Sequence, residues 1–129
     1  MKLLLDTRVF LAVGDLGSVK LPEAVEKILT DQSSILHVSV ASLWEIAIKV
    51  RSGKLTIGFN IEDLDTLCKS AAATILPITA GHVLGSVLPE PATRDPFDRL
   101  LLAQAEIEDM QLVTVDSGLV GHPLAWQAN

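Results

Sequence analysis

Short apolar segments of strand length alternate with helical segments along the chain, and this order constrains the fold more than any other feature. The predicted strands are residues 2–5, 35–38, 74–78 and 111–115. The predicted helices begin at Pro22 or span residues 40–50, 61–73, 80–88 and 96–109. Strands that alternate with helices typically form a parallel sheet covered on both faces. The sequence therefore predicts an α/β fold.

Composition limits the class of protein further. The chain has 129 residues, of which 49% are hydrophobic, so it is predicted to be one folded domain. No apolar run approaches the roughly 18 residues of a membrane span. Residues 1–5 hint at a signal peptide, but Asp6 and Arg8 interrupt it early, so a cytoplasmic location is expected. Cys68 is the only cysteine and is predicted to be a core thiol.

Two acids follow predicted strands. Asp6 comes directly after the first strand and Asp116 directly after the fourth. Ligands of open α/β sheets bind outside the carboxyl ends of the strands, so both side chains would reach one crevice if these strands are parallel neighbours. Each acid taken alone fits equally well as a turn or helix N-cap residue.

Another acid lies at the start of the last strong helix. In the segment Arg94–Arg99, Asp95 fits the N-cap, Pro96 the first helical position and Asp98 the third. Acids there interact favourably with the helix dipole, and each stabilises the helix by about 0.3–1 kcal/mol. The same helix end would also face the strand-end crevice, and both roles can hold for Asp98.

Glu45 lies on the helix of residues 40–50, where it shares the polar sector with Lys49. An ordinary ion pair at i,i+4 spacing, contributing about 0.2–0.5 kcal/mol, explains this pattern. The alternative is a functional role, because Glu45 is in the second turn of a helix that follows a strand.

A cation would be needed if these carboxylates meet. Two like charges about 4 Å apart repel by roughly 4 kcal/mol at an effective dielectric constant of 20. Oxygen ligands favour Mg²⁺ or Mn²⁺ over zinc. His37, His82 and His122 lack metal-ligand spacing and are interpreted as ordinary polar or partly buried residues.

Four segments together resemble PIN domains, and more narrowly the VapC-type toxins of bacterial toxin–antitoxin pairs. The matching segments are Leu3–Thr7, Ser42–Lys49, Arg94–Leu101 and Leu112–Asp116. One such motif is weak, whereas four in the family's order are specific. The resemblance implies a single PIN-like nuclease domain over residues 1–129. Its fold would be a three-layer α/β/α sandwich with a mostly parallel sheet of four to five strands.

The resemblance also implies an activity and a site. The activity is Mg²⁺- or Mn²⁺-dependent endoribonuclease cleavage, in which metal-activated water attacks an RNA phosphodiester. The catalytic and metal-binding residues would be Asp6, Glu45, Asp98 and Asp116, supported by Thr7, Asp95 and Thr114. Family members usually form homodimers and are inhibited by a cognate antitoxin. Charge and position suggest phosphate contacts at Arg8, Lys49, Arg51, Lys54, Arg94 and Arg99.

Two positions depart from the family pattern. Arg8 replaces a His or other neutral polar residue, and Thr93 replaces a His. Arg8 would either contact substrate phosphate or pair with an acid and lower activity. The net charge of −6 argues against nonspecific RNA binding but leaves room for a basic protein partner.

The sequence also allows other functions. A DNA nuclease of the same architecture is one alternative, and a PIN-like RNA- or antitoxin-binding module without catalysis is another. A phospho-acceptor receiver domain fits poorly, because no Asp ends the second or third strand. The sequence does not specify the RNA target, the cleavage site, the antitoxin, the number of metal ions or the fold after Asp116.

Overall fold

A four-stranded parallel sheet forms the centre of the protein. The computed structural model describes residues 1–16 and 19–128. The strands are β1 (Lys2–Leu5), β2 (Ile35–Ser39), β3 (Ala73–Leu76) and β4 (Gln111–Val113), in the order β3-β2-β1-β4. Each neighbouring pair is parallel, which confirms the predicted sheet.

Helices connect the strands. They are α1 (Thr7–Val13), α2 (Glu23–Thr30), α3 (Val40–Arg51), α4 (Leu64–Ser70), α5 (Ala80–Leu84) and α6 (Pro96–Ile107). A short 3-10 helix, Ile61–Asp63, leads into α4. Within the described ranges, none of these helices has the length and apolarity needed to cross a membrane.

The sheet separates two apolar layers. Leu3 and Leu5 of β1 belong to a core that includes Phe10 of α1 and Cys68 of α4, which confirms the predicted core thiol. Leu4 points to the other side and belongs to a core to which α6 contributes more residues than any other element. Because successive side chains of a strand point to opposite faces of the sheet, these two cores lie on opposite faces. Helices therefore cover both faces. The molecule is therefore the predicted three-layer α/β/α sandwich.

Three helices begin near the carboxyl edge of the sheet, and each has a side-chain cap at its first turn. Asp6, Ser39 and Asp95 each accept a hydrogen bond from a backbone N–H in the first turn of α1, α3 and α6, at 2.8, 3.0 and 2.9 Å. Such caps typically contribute about 0.5–2 kcal/mol. Two of the capping residues, Asp6 and Ser39, end or directly follow a strand, so α1 and α3 begin where β1 and β2 finish.

Some predicted boundaries are wrong. Helix α1 is not among the predicted helices, although the N-cap role that the sequence allows for Asp6 is correct. The helix predicted over residues 61–73 ends at Ser70, since Ala72 adopts a left-handed backbone with φ of 55°. The helix predicted over residues 80–88 ends at Leu84.

The fourth strand is also shorter than predicted. It ends at Val113, so Asp116 lies in the turn beyond the strand. The segment after Asp116, whose fold the sequence left open, returns to the free edge of β4. There the backbone N–H of Trp126 donates to the carbonyl of Leu112 at 2.8 Å, and Leu112 donates to Leu124 at 2.9 Å.

Candidate functional site

A cleft of about 120 Å³ opens at the carboxyl edge of the sheet. The side chains that line it are Asp6, Thr7, Arg8, Glu45, Lys49, Asp95, Asp98 and Asp116. They come from α1 and its cap, from α3, from the start of α6 and from the turn after β4. The four candidate catalytic acids therefore lie together, although they are up to 110 positions apart in sequence.

Asp6 is the most deeply buried acid of the cleft, with 4% of its surface exposed. Its Oδ1 accepts the N–H of Val9 at 2.8 Å, so it also caps α1. Burial raises the pKa of Asp6 above its usual value, and the charge of Asp116 adds to the effect. Hydrogen bonds from Thr114 and Val9 and the charge of Arg8 lower the pKa but do not reverse the shift.

Asp98 is a second acid of the cleft whose pKa is raised. Burial, which is the largest cause, and the nearby charges of Asp95, Asp116 and Asp6 together raise its pKa to about 6. The Thr93 hydroxyl donates to Oδ2 of Asp98 at 3.3 Å and opposes this effect. Asp98 is therefore a carboxylate whose negative charge is poorly compensated by the protein.

Glu45 combines the two interpretations that its sequence position allows. Its Oε2 lies 2.9 Å from Nζ of Lys49, which is the expected i,i+4 ion pair. The pair is not an ordinary surface feature, because the Glu45 side chain is only 15% exposed. Its Oε1 accepts a hydrogen bond of 2.7 Å from the hydroxyl of Thr7, which in turn lies 3.0 Å from the hydroxyl of Ser42.

Asp116 is held by a local turn. Its Oδ1 accepts the N–H of Gly118 at 2.8 Å, and its own N–H donates to the Thr114 hydroxyl at 3.0 Å. The turn interpretation of Asp116 is therefore correct, and it coexists with a place in the cleft. One carboxylate oxygen, Oδ2, is not engaged by this turn.

The ligand chemistry of the cleft suits a hard divalent cation. All its acidic groups offer oxygen, which Mg²⁺ and Mn²⁺ prefer. Burial and neighbouring carboxylates raise the pKa values of Asp6 and Asp98, and a cation bound beside them would favour their ionised forms. In residues 1–16 and 19–128, however, no three acidic, histidine or cysteine side chains are close enough to hold one ion. Metal binding would therefore require carboxylates to turn towards one another.

The basic candidates divide into two groups. Arg8 and Lys49 line the cleft. Among the described residues, Arg8 makes no ion pair, so it does not displace a cation by pairing with an acid in this conformation. The other four, Arg51, Lys54, Arg94 and Arg99, do not line the cleft. Nε of Arg99 lies 2.9 Å from Oε1 of Glu90.

Two hydroxyl residues had no role in the sequence-based site. Ser42 is buried beside Thr7, and Thr93 contacts Asp98. Ser42 precedes Glu45 by three positions on α3, a spacing that puts both on one helix face. That signal was available in the sequence, whereas the contact of Thr93 depends on the path of an irregular loop.

The chain matches the PIN domain family over residues 3–121 and belongs to that family. PIN domains are generally nucleases, a class of hydrolases, and typically use divalent metal ions. The fold is thus a nuclease-type fold with an acidic cleft at its carboxyl edge. A comparison with curated proteins gave no significant match.

Proposed function

We propose that this protein is a metal-dependent endoribonuclease and that Asp6, Glu45, Asp98 and Asp116 form its catalytic site. One observation carries the proposal: these four acids come from separate segments of the chain and line the same cleft. Structural capping accounts for Asp6, but it does not account for the convergence of all four. Family membership supports the nuclease class.

The four acids would together bind the metal ion of such a site. Asp6, Asp98 and Asp116 would hold Mg²⁺ or Mn²⁺, and Glu45 would complete the donor set. When bound, the ion lowers the pKa of a water molecule and stabilises negative charge on the leaving oxygen. Thr7 orients Glu45 through its 2.7 Å hydrogen bond.

Other side chains would orient the site and bind the substrate. Thr93 orients Asp98, and Thr114 holds the turn of Asp116. Asp95 fixes the start of α6. Arg8 and Lys49 place positive charge at the cleft, where a phosphodiester would enter.

The direct test is RNA cleavage by the Asp6→Asn variant in Mn²⁺. Asn retains an oxygen that accepts the N–H of Val9, so the cap of α1 survives while the charge is lost. Cleavage should fall at least about 100-fold. Asp31→Asn is the matched control, because Asp31 is an exposed acid before β2, at the opposite end of that strand. Undiminished cleavage by Asp6→Asn would overturn the proposal.

The choice of RNA over DNA rests on the resemblance to VapC-type toxins. A matched assay with RNA and DNA strands of the same sequence separates the two. Preferential RNA cleavage supports the proposal, and preferential DNA cleavage would replace it with a DNA nuclease of the same fold.

A binding module without catalysis is the second candidate. It is favoured by the spacing of the acids, since no described group of three encloses an ion site. The ion pair between Lys49 and Glu45 points the same way, because it already neutralises one of the four acids. Mn²⁺ binding by the free protein distinguishes this candidate from the enzyme.

We further propose that the protein acts in the cytoplasm as the toxin of a toxin–antitoxin pair and forms a homodimer. The net charge of −6 suits an antitoxin with a basic segment. Expression of the protein alone should arrest growth, and Asp6→Asn should abolish the arrest. Coexpression of a small protein encoded beside it should restore growth. Normal growth on expression of the active protein would contradict the toxin role.

A further inference from the structure

The ion pair with Lys49 distinguishes Glu45 from the other acids of the cleft. Among the described residues, Glu45 is the only one of the four candidate acids within ion-pair distance of a basic side chain. Nζ of Lys49 lies 2.9 Å from Oε2 of Glu45, and the hydroxyl of Thr7 donates to Oε1 at 2.7 Å. Both carboxylate oxygens of Glu45 therefore have a partner in the metal-free protein.

The two partners of Glu45 differ in charge, so they respond differently to a metal ion. A carboxylate oxygen has more than one lone pair, so Oε1 can accept the neutral Thr7 hydroxyl and still face a cation. The ammonium group of Lys49 is itself a cation, and it repels a divalent ion that approaches the same carboxylate. Lys49 therefore competes with a metal ion for Glu45, whereas Thr7 does not.

The two partners also differ in their freedom to move. Thr7 is buried and contacts the hydroxyl of the buried Ser42 at 3.0 Å. The Lys49 side chain is 44% exposed and has a flexible aliphatic stem. It lies in the last turn of α3, where it can turn into solvent without a change in the helix. Oε2 is therefore the oxygen of Glu45 that can be released.

We propose that Lys49 is a built-in counterion of Glu45 that competes with the divalent metal ion, so that Glu45 joins the metal site only after Lys49 leaves Oε2. Oε2 is then the ligand oxygen, and Thr7 keeps Oε1 in place. This inference rests on the proposed metal-dependent function and adds a form of regulation to its site. Of the basic side chains in the described ranges, Lys49 alone must break an ion pair when the four acids take up a metal ion.

The Mn²⁺ affinity of the Lys49→Met variant tests this competition. Met keeps an unbranched apolar side chain but removes the charge, so Mn²⁺ should bind about fivefold more tightly, the upper value for an ion pair of this kind. Bound Mn²⁺ is measured from the electron paramagnetic resonance signal of the free ion, which does not depend on RNA cleavage.

Lys54→Met is the matched control, because Lys54 is an exposed lysine in the segment directly after α3. In the part of the chain that the structure describes, it makes no ion pair. The control removes the same charge and should change the Mn²⁺ affinity by less than about twofold, because solvent and salt screen an exposed charge. Melting temperatures verify that every variant is folded.

The same substitution in a Glu45→Gln protein separates the ion pair from the general effect of charge. The ion pair is absent there, so Lys49→Met should change the Mn²⁺ affinity no more than Lys54→Met does. An equal gain in affinity with and without the Glu45 charge would overturn the inference. An unchanged affinity of the single variant Lys49→Met would overturn it as well.

Chemical labelling follows Lys49 in the unaltered protein. Acetylation of Lys49 by an N-hydroxysuccinimide ester should increase at least about twofold in saturating Mn²⁺, because Lys49 then leaves Glu45. Mass spectrometry measures the labelling, and Lys54 is the internal reference that should not change. Equal labelling of Lys49 with and without bound Mn²⁺ contradicts the inference, because the ion pair has then stayed closed.

The outcomes separate this inference from the proposed function. Mn²⁺ binding by Lys49→Met but not by the wild type supports the competition, while it removes the metal-dependent activity proposed for the wild type. Equal Mn²⁺ affinity of the two proteins overturns the inference and leaves the proposed metal site intact. Absence of Mn²⁺ binding by both proteins overturns both.

Discussion

At the scale of single residues, the acids of the cleft have structural and candidate functional roles at once. Asp6 caps α1 and Asp116 closes a turn, so both of the simpler interpretations available from sequence are correct. Those interpretations do not exclude a catalytic role. Asp6 shows how this is possible, because its cap uses Oδ1 and leaves Oδ2 for other contacts.

The raised pKa of Asp98 predicts a specific pH dependence of stability in the metal-free protein. The pKa is about 6 in the folded state against an ordinary value of 3.8, so the folded state binds more protons between these limits. Stability of the wild type should therefore fall, relative to Asp98→Asn, as the pH rises from about 4 to about 6. Below this window Asp98 is protonated in both states, and above it Asp98 is ionised in both states.

Urea unfolding of the two proteins between pH 3 and pH 8, in the presence of EDTA, measures this difference. Asn keeps an oxygen that accepts from the Thr93 hydroxyl, so the variant removes the charge while retaining that contact. If the difference in the free energy of unfolding between the two proteins stays constant from about pH 4 to about pH 6, the pKa of Asp98 is not raised in the folded state.

At the scale of elements, a hydroxyl chain joins α1 to α3. Thr7 contacts Glu45 at 2.7 Å and Ser42 at 3.0 Å, and Thr7 and Ser42 are buried. Glu45 is therefore held from two sides, by Thr7 and by Lys49. The relative positions of these two helices determine where its carboxylate lies.

Thr7→Val tests this connection because it removes the hydroxyl with little change of shape. Glu45 and Ser42 would each lose a buried partner, at a cost of about 1–3 kcal/mol in the free energy of unfolding. Mn²⁺ affinity and RNA cleavage should fall about 10–100-fold, as for other residues that orient metal ligands. Urea unfolding and cleavage rates measure the two effects.

Thr66→Val on α4 is the matched control, since Thr66 is exposed and does not line the cleft. Thr66→Val should change neither the free energy of unfolding nor the rate of RNA cleavage. Full activity of Thr7→Val would show that Thr7 does not orient Glu45.

Helix boundaries show which local features the sequence reveals. The caps of α3 and α6 could be predicted, since Ser39 and Asp95 are strong N-cap residues before helical segments. The end of α4 could not, because Ala72 adopts a left-handed conformation that alanine rarely takes. Strand β3 begins at Ala73, directly after this residue.

At the scale of the whole molecule, the sheet order creates the cleft. Strand β1 is central and pairs with both β2 and β4, so segments that follow these strands meet at one edge. The alternation of strands and helices predicted the parallel sheet and the edge at which its ligands bind. It did not give the strand order, which depends on long-range packing.

Only part of the site could be predicted from the sequence. Residues 6 and 116 follow strands, so their convergence could be argued from topology. The place of Glu45 in the cleft depended on the resemblance to PIN domains, because periodicity alone also fits a surface ion pair. The distances between the acids are set by three-dimensional packing, and within the described residues no three of them lie close enough to hold one ion.

Calorimetric titration of the free protein with Mn²⁺ tests the central claim most directly, since the claim is that the four acids form a divalent-metal site. The wild type and the Asp31→Asn control should bind with the same affinity. Asp6→Asn, Asp98→Asn and Asp116→Asn should each weaken binding at least about tenfold. Absence of binding by the wild type, or equal affinity in the three cleft variants, would contradict the account.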